Sequence, residues 1–380
     1  MGAINVKHTG SGAAIALSSD GTSLLLDGTA VGGGGSPDLF AENPVSATTP
    51  TASGDNAVAI GSGAVASGLQ AFAVGSLGIA KASGQHSISM GSYSRASGST
   101  SVGIGYSAEA TTTGAVAIGQ NSRCSGTYSV SLGKARASGS KSFAAVIDNN
   151  TTSYGASGDH SVAMGLLSKS SDHGSVAIGK NCISDGGRTV ALGHQTTASE
   201  FYSFAVGALS EALQTGSVCT GIRGRSDVQG KRVHSSSTFS AQIGNCQTGE
   251  LVLGKQTTDA TPIQLTSLPG NSASATNSIT LPNNSCYGFT GTVIARENSA
   301  QTNDFAVWEI KGGAVRAASA ATTALGSYNI NKISESTGAA TWSIALSADT
   351  TNGAVAITVT GEASHSIRWV ATVNTTEVTY

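Results

Sequence analysis

The chain has 380 residues, a formal net charge of −2 and only 11% charged side chains, well under the quarter usual for a soluble chain. It therefore carries neither a basic field for nucleic acid nor an acidic tail, which argues against a DNA- or RNA-binding role. The length allows two or three domains; the 50 glycines against 6 prolines would suggest low complexity, were they not placed in a strict period.

Residues 1–51 read as a small N-terminal attachment module and a Gly-rich joint. Three strand-like runs, Ala3–Val6, Ala13–Leu17 and Ser23–Leu26, are separated by the turn signals Thr9-Gly10-Ser11-Gly12 and Ser19-Asp20-Gly21. Gly32–Ser36 is flexible by composition, and Pro37–Thr51 is irregular. A β module ahead of a hinge suits a piece that docks a fibre into a particle; a capping hairpin is the plainer alternative. Met1–His8 lacks a basic segment followed by an apolar run, so it does not read as a secretion signal. No stretch is long and apolar enough to span a membrane, so membrane insertion is not expected.

Between Ala52 and Gly221 one phrase recurs: apolar, small, apolar, glycine. It appears as Val58-Ala59-Ile60-Gly61, Val116-Ala117-Ile118-Gly119 and Val176-Ala177-Ile178-Gly179 and ends, degenerate, at Val218-Cys219-Thr220-Gly221. Successive phrase glycines are 14, 16, 14, 14, 14, 32, 14, 14, 14 and 14 residues apart. The long interval predicts one distorted copy around Ala145-Val146-Ile147-Asp148. A fixed short period built on two-residue alternation is the signature of a parallel β-solenoid. Alternation predicts one buried and one open face, with the apolar pair as the buried side chains. Seven places before the phrase glycine stands Gly54, Gly68, Gly84, Gly98, Gly126, Gly158 or Gly186, expected to supply the positive φ of a tight corner. Two buried side chains per coil fall short of the entropy cost of ordering 14 residues. A further apolar surface is implied, most simply a second copy of the chain.

The phrases Asn56-Ala57-Val58-Ala59-Ile60-Gly61 and Ser175-Val176-Ala177-Ile178-Gly179 resemble the head repeats of trimeric autotransporter adhesins. The resemblance spans residues 52–221 and implies a left-handed parallel β-roll with three chains side by side. The same roll occurs in bacteriophage fibres. Leu24-Leu25-Leu26-Asp27-Gly28-Thr29-Ala30 resembles the starts of phage fibre proteins. Trp308-Glu309-Ile310-Lys311-Gly312 and Ile367-Arg368-Trp369-Val370-Ala371 resemble C-terminal domains of phage fibres and prophage tail proteins. A surface autotransporter needs an export signal, a stalk and a membrane anchor. None is read here, which favours a fibre assembled in the bacterial cytoplasm and carried on a virion.

The polar insertion Ile147–Ser157 is expected to bulge from the side of the roll, as a tolerated insertion or as a binding loop. After Gly221 the period lapses, and residues 222–239 form a neck where Arg223, Arg225, Lys231 and Arg232 gather with His234. Two readings apply to this cluster: an anion or glycan site, or side chains that close the roll and pair across chains. From residue 240 to 380 longer alternating runs predict a β-sandwich or jelly roll. They are Glu250–Gly254, Ile263–Ser267, Ser278–Leu281, Tyr287–Arg296, Phe305–Lys311, Ala314–Ala318, Tyr328–Lys332, Thr341–Ser347, Ala354–Thr360 and Ser366–Val373, with turns at Pro282-Asn283-Asn284 and Lys311-Gly312-Gly313. Trp308, Trp342 and Trp369 sit among apolar residues at two-residue spacing, which favours a core role over stacking on sugars. Tyr287, Phe289 and Tyr328 carry the same two readings.

Chemistry is sparse. Asp172 and Glu200 share a coil position but lie two coils apart, about 10 Å, loose even for an inverting glycosidase pair. His86 and His160 share another position several coils apart, so a shared metal would need a three-fold axis. Cys124, Cys182, Cys219, Cys246 and Cys286 have no metal-site spacing and read as reduced fillers. The expectation is therefore a non-enzyme with no catalytic, cofactor or metal residues. All-β architecture, a homotrimeric roll of about 14-residue repeats and terminal β domains point to a phage fibre. Its N-terminus would dock on a tail, baseplate or capsid protein, the tail being favoured. Its 240–380 tip would touch a host glycan, lipopolysaccharide or outer-membrane protein, through residues not individually assigned. A bacterial adhesin fragment is the alternative, and a glycan-degrading tailspike the more distant one.

Overall fold

A computed structural model describes strand residues 4–6, 15–19, 24–26 and 29–31, and residues 48–75, 80–148, 153–298 and 300–380. The first four strands form an antiparallel sheet in sequence order. Thr29–Val31 joins the three runs predicted there; Gly32–Ser36 and most of the irregular stretch lie outside the described residues.

The repeats wind into a parallel β-solenoid. One row of strands runs from Thr51–Ala52 to Arg225–Ser226, thirteen in all among the described residues. A second row, three to five residues each, runs from Val58–Ile60 to Arg232–Ser235. Register is strict: Val102 pairs with Val116, Val116 with Val130, and Ala110 with Cys124. Thirteen rungs at the usual spacing of about 4.8 Å give a shaft about 60 Å long.

The alternation is real, but its faces are the reverse of those expected. The small middle residue of each phrase points inward: Ala73, Ser89, Ala117, Ala177 and Ala205 have no exposure. Across the coil they meet the small residues of the other row, Ala66, Ala96, Ala110, Ser184 and Ala212, equally buried. The interior of the regular coils is therefore lined by small residues; the larger Ile147 and Val233 join it at the irregular coil and at the last rung. The large apolar pair points outward, and Val58, Ile88, Met90, Ile118 and Ile178 are 36–39% exposed in the single chain. The corner hydroxyls that must enter the interior are satisfied locally: Ser87, Ser101, Ser129 and Ser142 Oγ each donate to a carbonyl three residues back, at 2.7 Å.

The corner glycines are needed for a different reason from the one anticipated. Gly54, Gly68 and Gly84 do not adopt positive φ. A Cβ on Gly84 would stand 1.9 Å from the Gly98 carbonyl oxygen of the next coil, and one on Gly54 2.0 Å from that of Gly68. Backbone stacks directly on backbone there, and only a missing side chain permits it. The left-handed residue is two places further on, at Asn56, Gln70, His86, Tyr128 and His160, with φ of 55–58°.

Two sequence irregularities are resolved. The distorted copy is the strand Phe143–Ala145, in register with Val130–Leu132. Val146 takes the glycine's place at φ 54°, slightly before the predicted position. The centre of the insertion, 149–152, lies outside the described residues. The period also survives Gly221 by one coil, since Arg232–Ser235 pairs in parallel with Val218–Gly221. Much of the expected neck is thus the last rung, with Ser235 at the glycine position.

That rung leads without a break into the C-terminal domain. Arg232–His234 pairs antiparallel with Cys246–Thr257. Beyond it, in spatial order, lie Ile367–Thr379, Ser285–Glu297, Phe305–Arg316 and Ala324–Glu335. A smaller sheet is centred on Ala354–Thr360, with Ser343–Asp349 on one edge and Ile263–Gln264 and Ile279–Thr280 along the other. The two sheets share one core that holds Trp308, Trp342, Trp369, Leu265, Ile310 and Ile357. This is the expected two-sheet antiparallel domain. The turn predicted at Lys311-Gly312-Gly313 is instead the middle of a twelve-residue strand, with a register shift beside Gly312. A Cβ on Gly312 would strike Phe289 and Tyr328, so this glycine allows close packing rather than a reversal.

The corner argument makes a prediction. Gly84→Ala should destabilise the shaft by about 1–3 kcal/mol or more, visible in thermal melting. Gly270→Ala, where an added Cβ meets nothing within 4 Å, should shift stability by no more than about 0.5 kcal/mol. Equal melting of the two proteins would contradict backbone-on-backbone stacking.

Candidate functional site

The outward side of the shaft carries two apolar columns, the Val/Ile/Phe and Ile/Val/Leu/Met positions of successive phrases. In the twelfth long-row strand the second column turns polar at Thr220, and in the last rung both positions do, as Arg232 and His234. The junction between shaft and C-terminal domain is therefore where the surface changes character.

Behind that surface is a buried ion pair. Lys231 stands where earlier coils place Ser, Ala or Thr, and its Nζ lies 2.7 Å from Glu377 Oε1 and 2.9 Å from Oε2. Both side chains are buried, at 1% and 0% exposure. Gln247 Nε2 donates to Glu377 Oε2 at 2.7 Å, Thr375 Oγ1 donates to Oε1 at 2.5 Å, and the ammonium lies 5.3 Å from the Tyr287 ring centroid. Burial by itself would raise the Glu377 carboxyl; the Lys231 charge and these hydrogen bonds outweigh it, and the net shift is downward. Burial pushes the Tyr287 hydroxyl well above its ordinary value.

In front lies an open groove of about 1010 Å³, walled by the last two rungs and the long sheet. Its floor follows the strand register. One column crosses six strands as Arg232, Glu250, Asn374, Thr290, Lys311 and Asn329. Beside it run His234, Thr248, Thr376 and Gly288. Arg232 lies 3.8 Å from Glu250, and His234 Nδ1 is 3.0 Å from Thr220 Oγ1. Tyr328, half exposed, stands at the rim.

The residues singled out from sequence fall as follows. Within the single chain, members of the basic cluster find acidic partners: Arg225 pairs with Glu211 at 3.0 Å and Asp227 at 3.9 Å, Arg232 with Glu250, and Lys231 with Glu377. The acidic partners of Lys231 and Arg232 come from strands distant in sequence. Trp308, Trp342 and Trp369 are core residues, the first and last stacked at 5.6 Å. Trp369 Nε1 donates to Thr257 Oγ1 at 3.0 Å. Tyr287 and Phe289 are buried, and only Tyr328 of that trio reaches solvent. Asp172 and Glu200 remain two coils apart on one corner, with Gly186 between them. His86 and His160 are corner residues, and His160 packs on His173 at 5.0 Å. Cys124, Cys182 and Cys219 fill the shaft interior, while Cys286 is exposed. Burial pushes the Cys124 and Cys219 thiols up to about 11. Sequence reasoning missed the groove: Asn374, Thr290 and Asn329 carry no motif, and only strand register brings them together. Among the described residues no helix is long and apolar enough to cross a membrane.

Comparison with known proteins supports the shaft. The family model described as the YadA head domain repeat matches residues 52–77, 96–122, 156–181 and 184–210, all within the solenoid. Repeats of this kind imply a trimeric assembly, consistent with the outward apolar columns. The solved tailspike protein of Acinetobacter phage vB_ApiP_P1 is similar at 11% identity and a TM-score of 0.21, over 83% of this chain. The match covers 66% of that protein, just under two thirds of its length, and so weak a superposition carries no argument. No curated protein matches the chain.

The buried pair yields two expected outcomes. Lys231→Met strands the Glu377 carboxylate and should cost about 3–5 kcal/mol, measured by denaturant unfolding. Because the folded Glu377 carboxyl is depressed, its stabilisation is full above its unfolded value near about 4.3 and is lost as pH falls through the lower folded value. Melting temperature should therefore drop on acidification below about pH 4, less steeply in Glu377→Gln. An acid limb identical in the two proteins would contradict the linkage.

Proposed function

We propose that this chain is the subunit of a homotrimeric attachment fibre of a bacteriophage. Its N-terminal sheet docks on the particle, by preference at the tail; its solenoid is the spacer, and its C-terminal domain meets the host surface. The observation that carries the assembly is the outward apolar pair, repeated along the shaft and left 36–39% exposed at Val58, Ile88 and Ile118 in one chain. A row of this length is too large an apolar surface for a solitary molecule. A partner that matches it rung for rung is another copy of the same chain. Attachment then rests on avidity, three identical tips acting together.

The repeat match supports a second reading, a surface adhesin of a bacterial cell, which shares the trimer and the adhesive tip but not the particle. Both readings are non-enzymatic. The two corner carboxylates Asp172 and Glu200 lie two coils apart and away from the groove.

Ile118→Glu places a charge on the outward face, whereas its neighbour Ala117 is wholly interior. Sedimentation should show three chains for the native protein and one for the variant, with β-sheet circular dichroism retained. A stable native monomer would contradict both readings. Labelling of residue 1 on intact particles, seen at the tail by electron microscopy, separates virion from cell surface.

A further inference from the structure

We infer that the groove at the shaft–tip junction binds an acidic oligosaccharide laid along the fibre axis. The inference rests on the reading of the C-terminal domain as the surface-binding tip, and it names the site and its ligand class.

The first argument is the change of surface. Neighbouring chains cover the shaft where its columns are apolar, but Arg232, Glu250 and Lys311 continue those columns with charge. Burying such a row against an identical row would leave like charges facing one another. The groove thus begins where packing between copies stops.

The second argument is chemical. Across the floor the backbone groups are spent in the ladder, and the outer edge of Ala324–Glu335 is unpaired only at the groove's side, so a ligand lying along the column meets side chains rather than backbone. Its column offers a guanidinium, a carboxylate, two amides, a hydroxyl and an ammonium, each one strand apart. Six strands at about 4.8 Å give a track about 24 Å long, suited to a chain of sugars rather than a single ring. Asn374, Asn329, Thr290 and Thr376 make no side-chain hydrogen bond within the chain among the described residues. Their donors and acceptors are therefore free for hydroxyls of a ligand. Gly288 keeps the floor low, for a Cβ there would point into open space. Tyr328 at the rim presents an apolar ring with a polar tip.

The third argument is charge. Glu250 answers Arg232 at 3.8 Å, whereas the Lys311 ammonium makes no ion pair or hydrogen bond among the described residues. An uncompensated ammonium amid amides and hydroxyls selects a sugar that bears a carboxylate or phosphate. Two cations and one carboxylate are too few for nucleic acid, whose affinity comes from many phosphate contacts.

The test uses the full-length protein on a printed array of uronic-acid, sialic-acid and phosphate-bearing oligosaccharides beside neutral ones. Binding should be confined to acidic spots and should weaken at least tenfold in Lys311→Ala and in Asn374→Ala. Both variants should keep the sedimentation of the native protein. Signal on no spot, equal signal on neutral sugars, or acidic binding undiminished in both variants would overturn the proposal. Adsorption to host cells separates the two readings. Variants that lose array binding but adsorb normally overturn the groove as the attachment site and leave the tip reading intact. Adsorption of the full-length protein undiminished by Fab fragments that cover the C-terminal domain sinks the tip reading itself.

Discussion

The structure depends on backbone stacked directly on backbone at the corners of each coil. The Gly84 carbon that would carry a side chain faces the carbonyl of Gly98 at a distance no Cβ tolerates. Corners this tight draw the two strand rows together until mostly Ala, Ser, Gly, Cys and Thr lie between them. The large apolar pair of each regular phrase is turned to the outside. A coil built this way has almost no apolar interior of its own, so the outward Val and Ile columns must supply what is missing, by contact between chains. Assembly is a consequence of corner geometry.

The same sheet explains how the shaft ends. A solenoid must close its last rung, or leave an open strand edge. Here the rung Arg232–Ser235 is covered by Cys246–Thr257, and the ladder continues as antiparallel strands. The small interior residue that would ordinarily sit at position 231 is a lysine, possible because Glu377 reaches it from the last strand of the chain. The pair ties the end of the shaft to the C-terminus across 146 residues. It seals the interior with charge that is matched and hydrogen-bonded. The domain and the shaft are joined by a common sheet and a common core, and the groove in front inherits its straight columns from that continuity.

Several features could be read from residues alone, though not always for the right reason. The phrase around Val116-Ala117-Ile118-Gly119 announced strands, a period and a stack. Alternation says that Ala117 and Ile118 face opposite ways, yet it does not say which side is inside. The habit of placing Ile within fails here because the coil is thinner than an isoleucine pair. Gly84 reads as a corner residue, but a positive φ and a blocked Cβ look the same in a sequence. Gly312 and Gly313 resembled a turn and are a packing site. The tryptophans, spaced for a strand face, were core residues as their neighbours implied.

Sequence by itself determined the all-β class, the 14-residue coil and the antiparallel character of the C-terminal part, because these follow from local periodicity and turn chemistry. Tertiary structure alone decided which face is interior, that Lys231 meets Glu377, and that Arg232, Asn374, Thr290 and Lys311 share a column. Those facts depend on register between strands far apart in the chain. Register is set by the whole sheet as it packs, and no short stretch of residues encodes it.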